Sequence, residues 1–232
     1  MPATERKPFI FVLAGVNGGG KSSVGGAIVT QHGLSWFNPD AYARELVNQL
    51  GLELSEANGR AWAHGVAQLQ AALDARTNFA FETTLGGNTI HRLLALAKQT
   101  HDVVMLFCGL QTPEQHLQRV KLRVAHGGHD IPEHKIRTRW DSSRANLIKL
   151  LPTLTHLQVF DNSTDAVAGD NIPDPRLLLE MAHGKVVFPP ADDVSALMTI
   201  PDWARPIVQA ALECAPQVHH NLSPRVKQRP QA

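Results

Sequence analysis

The segment Gly15-Val16-Asn17-Gly18-Gly19-Gly20-Lys21-Ser22 constrains this chain more than any other. It fits the pattern G-x-x-x-x-G-K-[ST] and follows directly on the apolar run Phe9–Gly15, FIFVLAG. So short a run, apolar without interruption, reads as a strand buried on both faces, the condition of a parallel sheet. A helical segment follows it. Glycines let successive backbone N–H groups turn toward one point without Cβ clashes, and a helix N-terminus adds donors and partial positive charge. Phosphate oxygens are the natural occupants of such a loop. The pattern makes Gly15, Asn17, Gly18, Gly19, Gly20, Lys21, Ser22 and Ser23 the nucleotide cradle. Lys21 is expected to reach the β- and γ-phosphates and Ser22 to ligate Mg²⁺. Lys21 is also expected to be exposed in an empty loop.

The rest of the chain alternates strand and helix signals. Ser35–Asn38, Phe79–Glu82, Asp102–Leu110 and Leu157–Phe160 read as further strands. Ser55–Arg76 carries Trp62, Val66, Leu69 and Leu73 at the 4-3-4 spacing of an amphipathic helix, and Asn88–Thr100 repeats the helical period. Thr112-Pro113-Glu114 is a helix start, with a capping hydroxyl, proline at the first helical position and an acid near the positive end. These signals predict an α/β P-loop fold: a five-stranded, mostly parallel sheet with helices on both faces. Arg176–Met181 and Lys185–Phe188, joined by Ala-His-Gly, read as a hairpin. The expected organisation is a core over 1–165 with a helical lid at about 119–149, an extension over 166–214 packed on it, and a flexible tail over 215–232.

Composition excludes several classes. With 22 Lys+Arg against 21 Asp+Glu, the net charge of +1 supplies no long-range attraction to nucleic acid or anionic membrane. No apolar run approaches the length of a membrane span, and the N-terminal apolar run is too short for a secretory signal. Cys108 and Cys214 lack metal-ligand spacing and read as buried free thiols in a reducing compartment, which points to the cytoplasm.

The phosphate loop alone does not separate kinases from ATPases or switches. The apolar run ending Leu106-Phe107-Cys108-Gly109 has no metal-binding Asp, and no N-K-x-D guanine reader exists; both absences favour a small-molecule kinase. Asp40 follows the second strand signal, at the carboxyl edge where ligands bind in parallel sheets. There it could take the proton of an acceptor hydroxyl, or merely complement the dipole of a helix capped by Asn38 and begun by Pro39; spacing alone leaves both open. Glu82, Thr83 and Thr84 end the third strand signal at the same edge, where Glu82 could hold a metal-bound water or a sugar hydroxyl and the threonines could bind substrate. Residues 119–149 hold eight basic and three acidic residues, broken by Gly127-Gly128-His129, the pattern of two helices with a flexible tip. Arginines there suit a transferring phosphoryl group, because the guanidinium fork matches phosphate oxygens. Only Trp140 interleaves with these bases, unlike a nucleic-acid surface. His126, His129 and His134 are too irregularly spaced for a zinc site.

In combination these pieces resemble the zeta toxin family of P-loop kinases. The matching segments are AGVNGGGKSS at 14–23, FNPDAYARELV at 37–47, FAFETTLGG at 79–87, the lid segment at 112–147 and DNS at 161–163. The resemblance covers about residues 8–165. It implies transfer of phosphate from ATP or GTP, with Mg²⁺, to a hydroxyl of a nucleotide-linked sugar, UDP-N-acetylglucosamine being the best-known acceptor. A dinucleotide acceptor, through the adenosine ribose of NAD, is implied for some relatives. Carried over by motif, Lys21 and Ser22 are the phosphate-loop pair, Asp40 is the catalytic base and Glu82 the strand-end acid near the substrate. Arg123, with Arg137 or Arg139, supplies the lid arginines. A separate antitoxin protein is an implied partner.

Overall fold

A computed structural model describes residues 7–31, 35–164 and 173–214. The elements run β1 (Phe9–Ala14), α1 (Lys21–Gln31), α2 (Pro39–Leu50), α3 (Leu54–Ala75), β2 (Phe79–Thr83), α4 (Asn88–Ala97), β3 (Asp102–Gly109), α5 (Pro113–Ala125) and α6 (Glu133–Leu150). They continue with β4 (His156–Asp161), β5 (Arg176–Ala182), β6 (Lys185–Phe188), α7 (Val194–Met198) and α8 (Arg205–Cys214). The expected tail over 215–232 lies outside the described residues.

The six strands of the described residues form one sheet in the order β2-β1-β3-β4-β5-β6. The first four are parallel, with Ala14 beside Thr83 and Phe107, and Gly109 beside Asp161. Their carboxyl ends therefore finish level, and the segments leaving them meet at one edge. Side chains alternate across β1: Ile10, Val12 and Ala14 enter the larger core, Phe11 and Leu13 the smaller one on the opposite face. Helix α1 crosses the smaller core, where Gly25 lies so close to Leu13 that a Cβ would stand 2.1 Å from its Cδ2.

Two features correct the five-stranded expectation. Ser35–Asn38 is not a strand. Phe37 makes a single parallel bridge to Phe81, and then the chain turns into α2, because Asn38 and Pro39 start a helix there. The hairpin, in turn, is not an appendage to the sheet but its far edge. β5 pairs antiparallel with β4, Leu157 beside Met181, and β6 pairs antiparallel with β5. The two-residue turn between them has φ of 50° at His183 and 75° at Gly184, the primed geometry that matches strand twist.

The larger core runs the length of the described chain. It joins Ile10, Phe81 and Leu94 to Leu147, Leu178, Trp203 and Ile207. Trp203, 2% exposed, lies against Phe107 and over the end of β3. A Cβ on Gly109 would stand 2.3 Å from Trp203 Cη2. The periodic stripe on α3 is only partly core. Leu69 is buried among Ala57, Ala61, Gly65 and Ala72, whereas Trp62 is 54% exposed. Cys108 is buried and Cys214 exposed, so only one thiol is the buried group expected. Burial pushes the Cys108 thiol up to about 12.

Overpacking a closed site typically destabilises by about 1–3 kcal/mol. Gly109→Ala should therefore lower the melting temperature by roughly 2–12 °C for a chain of this size. A calorimetric scan checks this, and an unchanged Tm would mean that Trp203 does not close over the end of β3.

Candidate active site

The phosphate loop leaves β1 at Gly15, whose φ of 135° only glycine adopts easily. A Cβ there would stand 2.1 Å from the Cys108 carbonyl oxygen, so the loop folds directly onto the end of β3. At Gly20, φ is 82°, and a Cβ would strike Asn162 Nδ2 at 2.2 Å. Asn162 lies in the DNS segment after β4 and donates from that nitrogen to the Gly19 carbonyl oxygen at 3.2 Å.

Lys21 is not exposed. It is 7% exposed, its Nζ 3.4 Å from both Glu82 Oε1 and the Val16 carbonyl oxygen. The reason is Glu82, itself buried at the end of β2. Its Oε2 accepts from Ser22 Oγ at 2.8 Å and from Asn38 Nδ2 at 3.0 Å. One carboxylate thus gathers the loop lysine, the first turn of α1 and the cap of α2. Asn38 also accepts from the Ala41 N–H at 3.0 Å, so the helix-start reading of this segment is correct. Asp40 does more than complement that helix. It faces the lid, with Oδ2 3.7 Å from Arg123 Nη1 and Oδ1 3.9 Å from His129 Nε2. Burial holds the His129 imidazole below its usual value, partly offset by Asp40.

Asn17 fastens the loop to both lid helices. Its side-chain oxygen accepts from Arg139 Nη1 at 2.7 Å, and its backbone carbonyl meets His116 Nδ1 at 2.8 Å. With a carbonyl as partner, Nδ1 carries the proton. Sequence reasoning missed His116, whose only signal is a position one turn into α5; it is fully buried, and burial drives its pKa down to about 4. Arg139 is half-buried, its guanidinium pulled below the ordinary value by burial, and no carboxylate lies within ion-pair distance among the described residues. Arg123 donates to the His129 carbonyl oxygen at 3.3 Å.

Arg137 departs from expectation. It points away from the site, its guanidinium 2.7 Å from both Glu133 and Glu114 and largely solvated. Position 137 lies two residues from Arg139 on α6, so the two side chains cannot share a helix face.

Two cavities open at the carboxyl edge. One, of about 290 Å³, is lined by Gly18, Gly20, Ser22, Ser23, Arg44, Arg119 and Arg123 around the loop. The other, of about 240 Å³, runs beneath the lid past Thr83, Thr84, Phe37, Ile90 and Arg139. Asn17, Lys21, Asn38, Asp40 and Glu82 belong to the walls of both. Gly15 and Gly19 are buried in the loop beneath. Thr83 and Thr84 owe their position partly to α6: Ser143 donates to the Thr84 carbonyl oxygen and Asn146 to that of Leu85.

No protein-family model matches the chain. An uncharacterized protein of Haemophilus influenzae is 29% identical over 133 residues, 54% of this chain and 88% of that protein. The fold is shared with a chain of the solved AvrRxo1-ORF1:AvrRxo1-ORF2 complex with sulphate ions, at TM-score 0.59 and 16% identity over 89% of this chain. The same complex solved with ATP also gives 0.59 and 16%, over 94% of this chain. This chain spans only 64% and 67% of the length of those chains. No helix among the described residues is long and apolar enough to cross a membrane.

The His116 contact makes stability depend on pH. Below about pH 6.5 the unfolded chain binds a proton that folded His116 refuses until about pH 4. Stability should fall as pH drops through that window, by roughly 3 kcal/mol at full extent, and level off below it. His116→Gln removes this titration. Its melting temperature should drop less than that of the wild type between pH 7 and pH 4.5, and equal drops would contradict the assignment.

Proposed function

We propose that this protein is a P-loop kinase that transfers the γ-phosphoryl group of ATP to a hydroxyl of a nucleotide-linked sugar. The observation that carries the reading is the shared wall: the phosphate-loop cavity and the cavity under the lid meet at Lys21, Asp40 and Glu82. A donor on one side and an acceptor on the other would bring their reacting atoms together there, which is most of what phosphoryl transfer requires. An ATPase needs no second cavity. The ATP-bound complex of the same fold supports ATP as donor. The AvrRxo1-ORF2 component of that complex supports a separate protein partner for this chain as well.

In this reading the acceptor hydroxyl lies against Asp40. The Asp40 carboxylate takes its proton as the oxygen attacks the γ-phosphorus, the bond to the β-phosphate oxygen breaks, and ADP leaves. Lys21 follows the β- and γ-phosphates, and Arg123 and Arg139 stabilise the charge spread over the transferring group. Ser22 and Glu82 supply oxygen donors 2.8 Å apart, which suits Mg²⁺, an ion that keeps most of its waters and takes few protein ligands. Held there, Mg²⁺ would supply neutralisation of the negative charge on the phosphates. Thr83 and Thr84 face the acceptor. His129 closes the site over Asp40 and excludes water when the lid is down.

Incubation with ATP, Mg²⁺ and a metabolite extract, followed by mass spectrometry, should reveal a gain of one phosphate on a nucleotide-linked sugar. Asp40→Asn keeps the shape but cannot take the proton. Turnover should fall by roughly a hundred- to ten-thousandfold with ATP affinity retained, and melting should hardly change because Asn38 supplies the helix cap. An Asp40→Asn protein with normal turnover would remove Asp40 from the chemistry.

The two lid arginines that sequence left as alternatives should separate cleanly. Arg139→Lys keeps charge but loses the fork, and should cut kcat by about tenfold or more. Arg137→Lys should leave kcat and KM unchanged and shift stability by less than about 1 kcal/mol, as for an exposed ion pair. Steady-state kinetics on both variants decide the matter.

A further inference from the structure

The acceptor cavity has polar walls at the shared edge, with Lys21, Asp40 and Glu82, and under the lid, with Asp130, Lys135 and Arg139; Phe37, Phe81, Val66 and Ile90 make up its apolar end. Helix α3 forms the side of that apolar end. Asn58, Trp62 and Val66 are spaced i, i+4, i+8 and share one face of the helix, and all three line the cavity. The neighbouring stripe, Ala57, Ala61, Gly65 and Leu69, is the one that packs inward. Trp62 is therefore left 54% exposed at the cavity.

An exposed tryptophan alone would mean little. The helix that carries this one is firmly seated. A Cβ on Gly65 would stand 2.6 Å from Phe37 Cε1, so α3 is seated directly on the Phe37 ring. Tyr42 and His64 stack at 4.7 Å beside it, and Phe37 touches both rings. The tryptophan thus stands on a helix that cannot easily tilt, with a carboxamide one turn before it. Size adds a second argument. The cavity measures about 240 Å³, below the roughly 300–1,000 Å³ of sites that enclose a whole drug-sized ligand. That size suits a sugar, and whatever else the acceptor carries would extend past the apolar wall.

Resting on the kinase reading above, we propose that Trp62 is the stacking platform for a planar heteroaromatic ring of the acceptor, with Asn58 reading the ring's hydrogen-bonding edge. The nucleotide-linked acceptor is accordingly held at both ends, its hydroxyl at Asp40 and its base on α3. A free sugar would occupy only the polar end and bind weakly.

The test measures binding and does not depend on turnover. UDP-N-acetylglucosamine, NAD and free N-acetylglucosamine are titrated calorimetrically into wild type, Trp62→Ala and Trp62→Phe, each saturated with a non-hydrolysable ATP analogue. Base–aromatic stacking of about 1–3 kcal/mol corresponds to a loss of roughly 5- to 140-fold in affinity. Trp62→Ala should lose that much for whichever base-linked compound the wild type binds. Trp62→Phe should retain most of the affinity, and the affinity for the ATP analogue should be equal in all three proteins. Equal binding of the base-linked compound by wild type and Trp62→Ala overturns the proposal. So does wild-type binding of the free sugar as tight as that of both base-linked compounds. Failure of phosphoryl transfer with the ring contact intact would instead count against the kinase reading alone.

Discussion

A buried carboxylate at the end of β2 is the constraint on which the site depends. Taking Glu82 out of water costs several kcal/mol unless it is partnered, and its partners come from two other segments: Lys21 and Ser22 from the first turn of α1 and Asn38 from the cap of α2. None of these is near Glu82 in sequence. Each must come to the strand end or leave a charge unmet in the interior. The level finish of the parallel strands makes this geometrically possible, because the loop after β1 and the end of β2 emerge side by side. Glu82 thus fixes the loop lysine, the first turn of α1 and the cap of α2 against one wall.

Asn17 plays the complementary part on the other side of the loop. Through its carbonyl and its side chain it is tied to α5 and α6 at once. The lid helices are therefore anchored to the nucleotide loop, while α6 also holds the Thr84–Leu85 turn below. A shift of the loop would therefore be felt by both walls of the cavity beneath α6.

What was legible in the sequence was local. The loop between an apolar run and a helix, the helix starts at Asn38-Pro39-Asp40 and Thr112-Pro113-Glu114, and the tight turn at His183-Gly184 are each decided within a few residues. The features that escaped depend on distant neighbours. Nothing near Lys21 announces that Glu82, 61 residues on, will bury it. The Trp62 stripe satisfies helical periodicity, yet alanines and a glycine one step around the helix are what pack, since small residues let α3 lie close to α2 and Phe37. Arg137 and Arg139 are alike in composition, and only the direction of α6 tells them apart. The hairpin was legible as a hairpin, but not as part of the main sheet, because β4 offers its free edge to whichever strand arrives.

The seat of Trp203 over Gly109 has a bearing on how the protein comes to exist. The floor of the phosphate loop rests on the end of β3, and that end is covered by a residue made long after it. At translation rates of about 5–20 residues per second, about 10–40 s separate the synthesis of β1 from that of Trp203. Until then the nascent chain carries the whole loop motif but no finished core beneath it. The end of β3 on which the loop rests is therefore covered only once Trp203 has been made, late in the synthesis of the described residues.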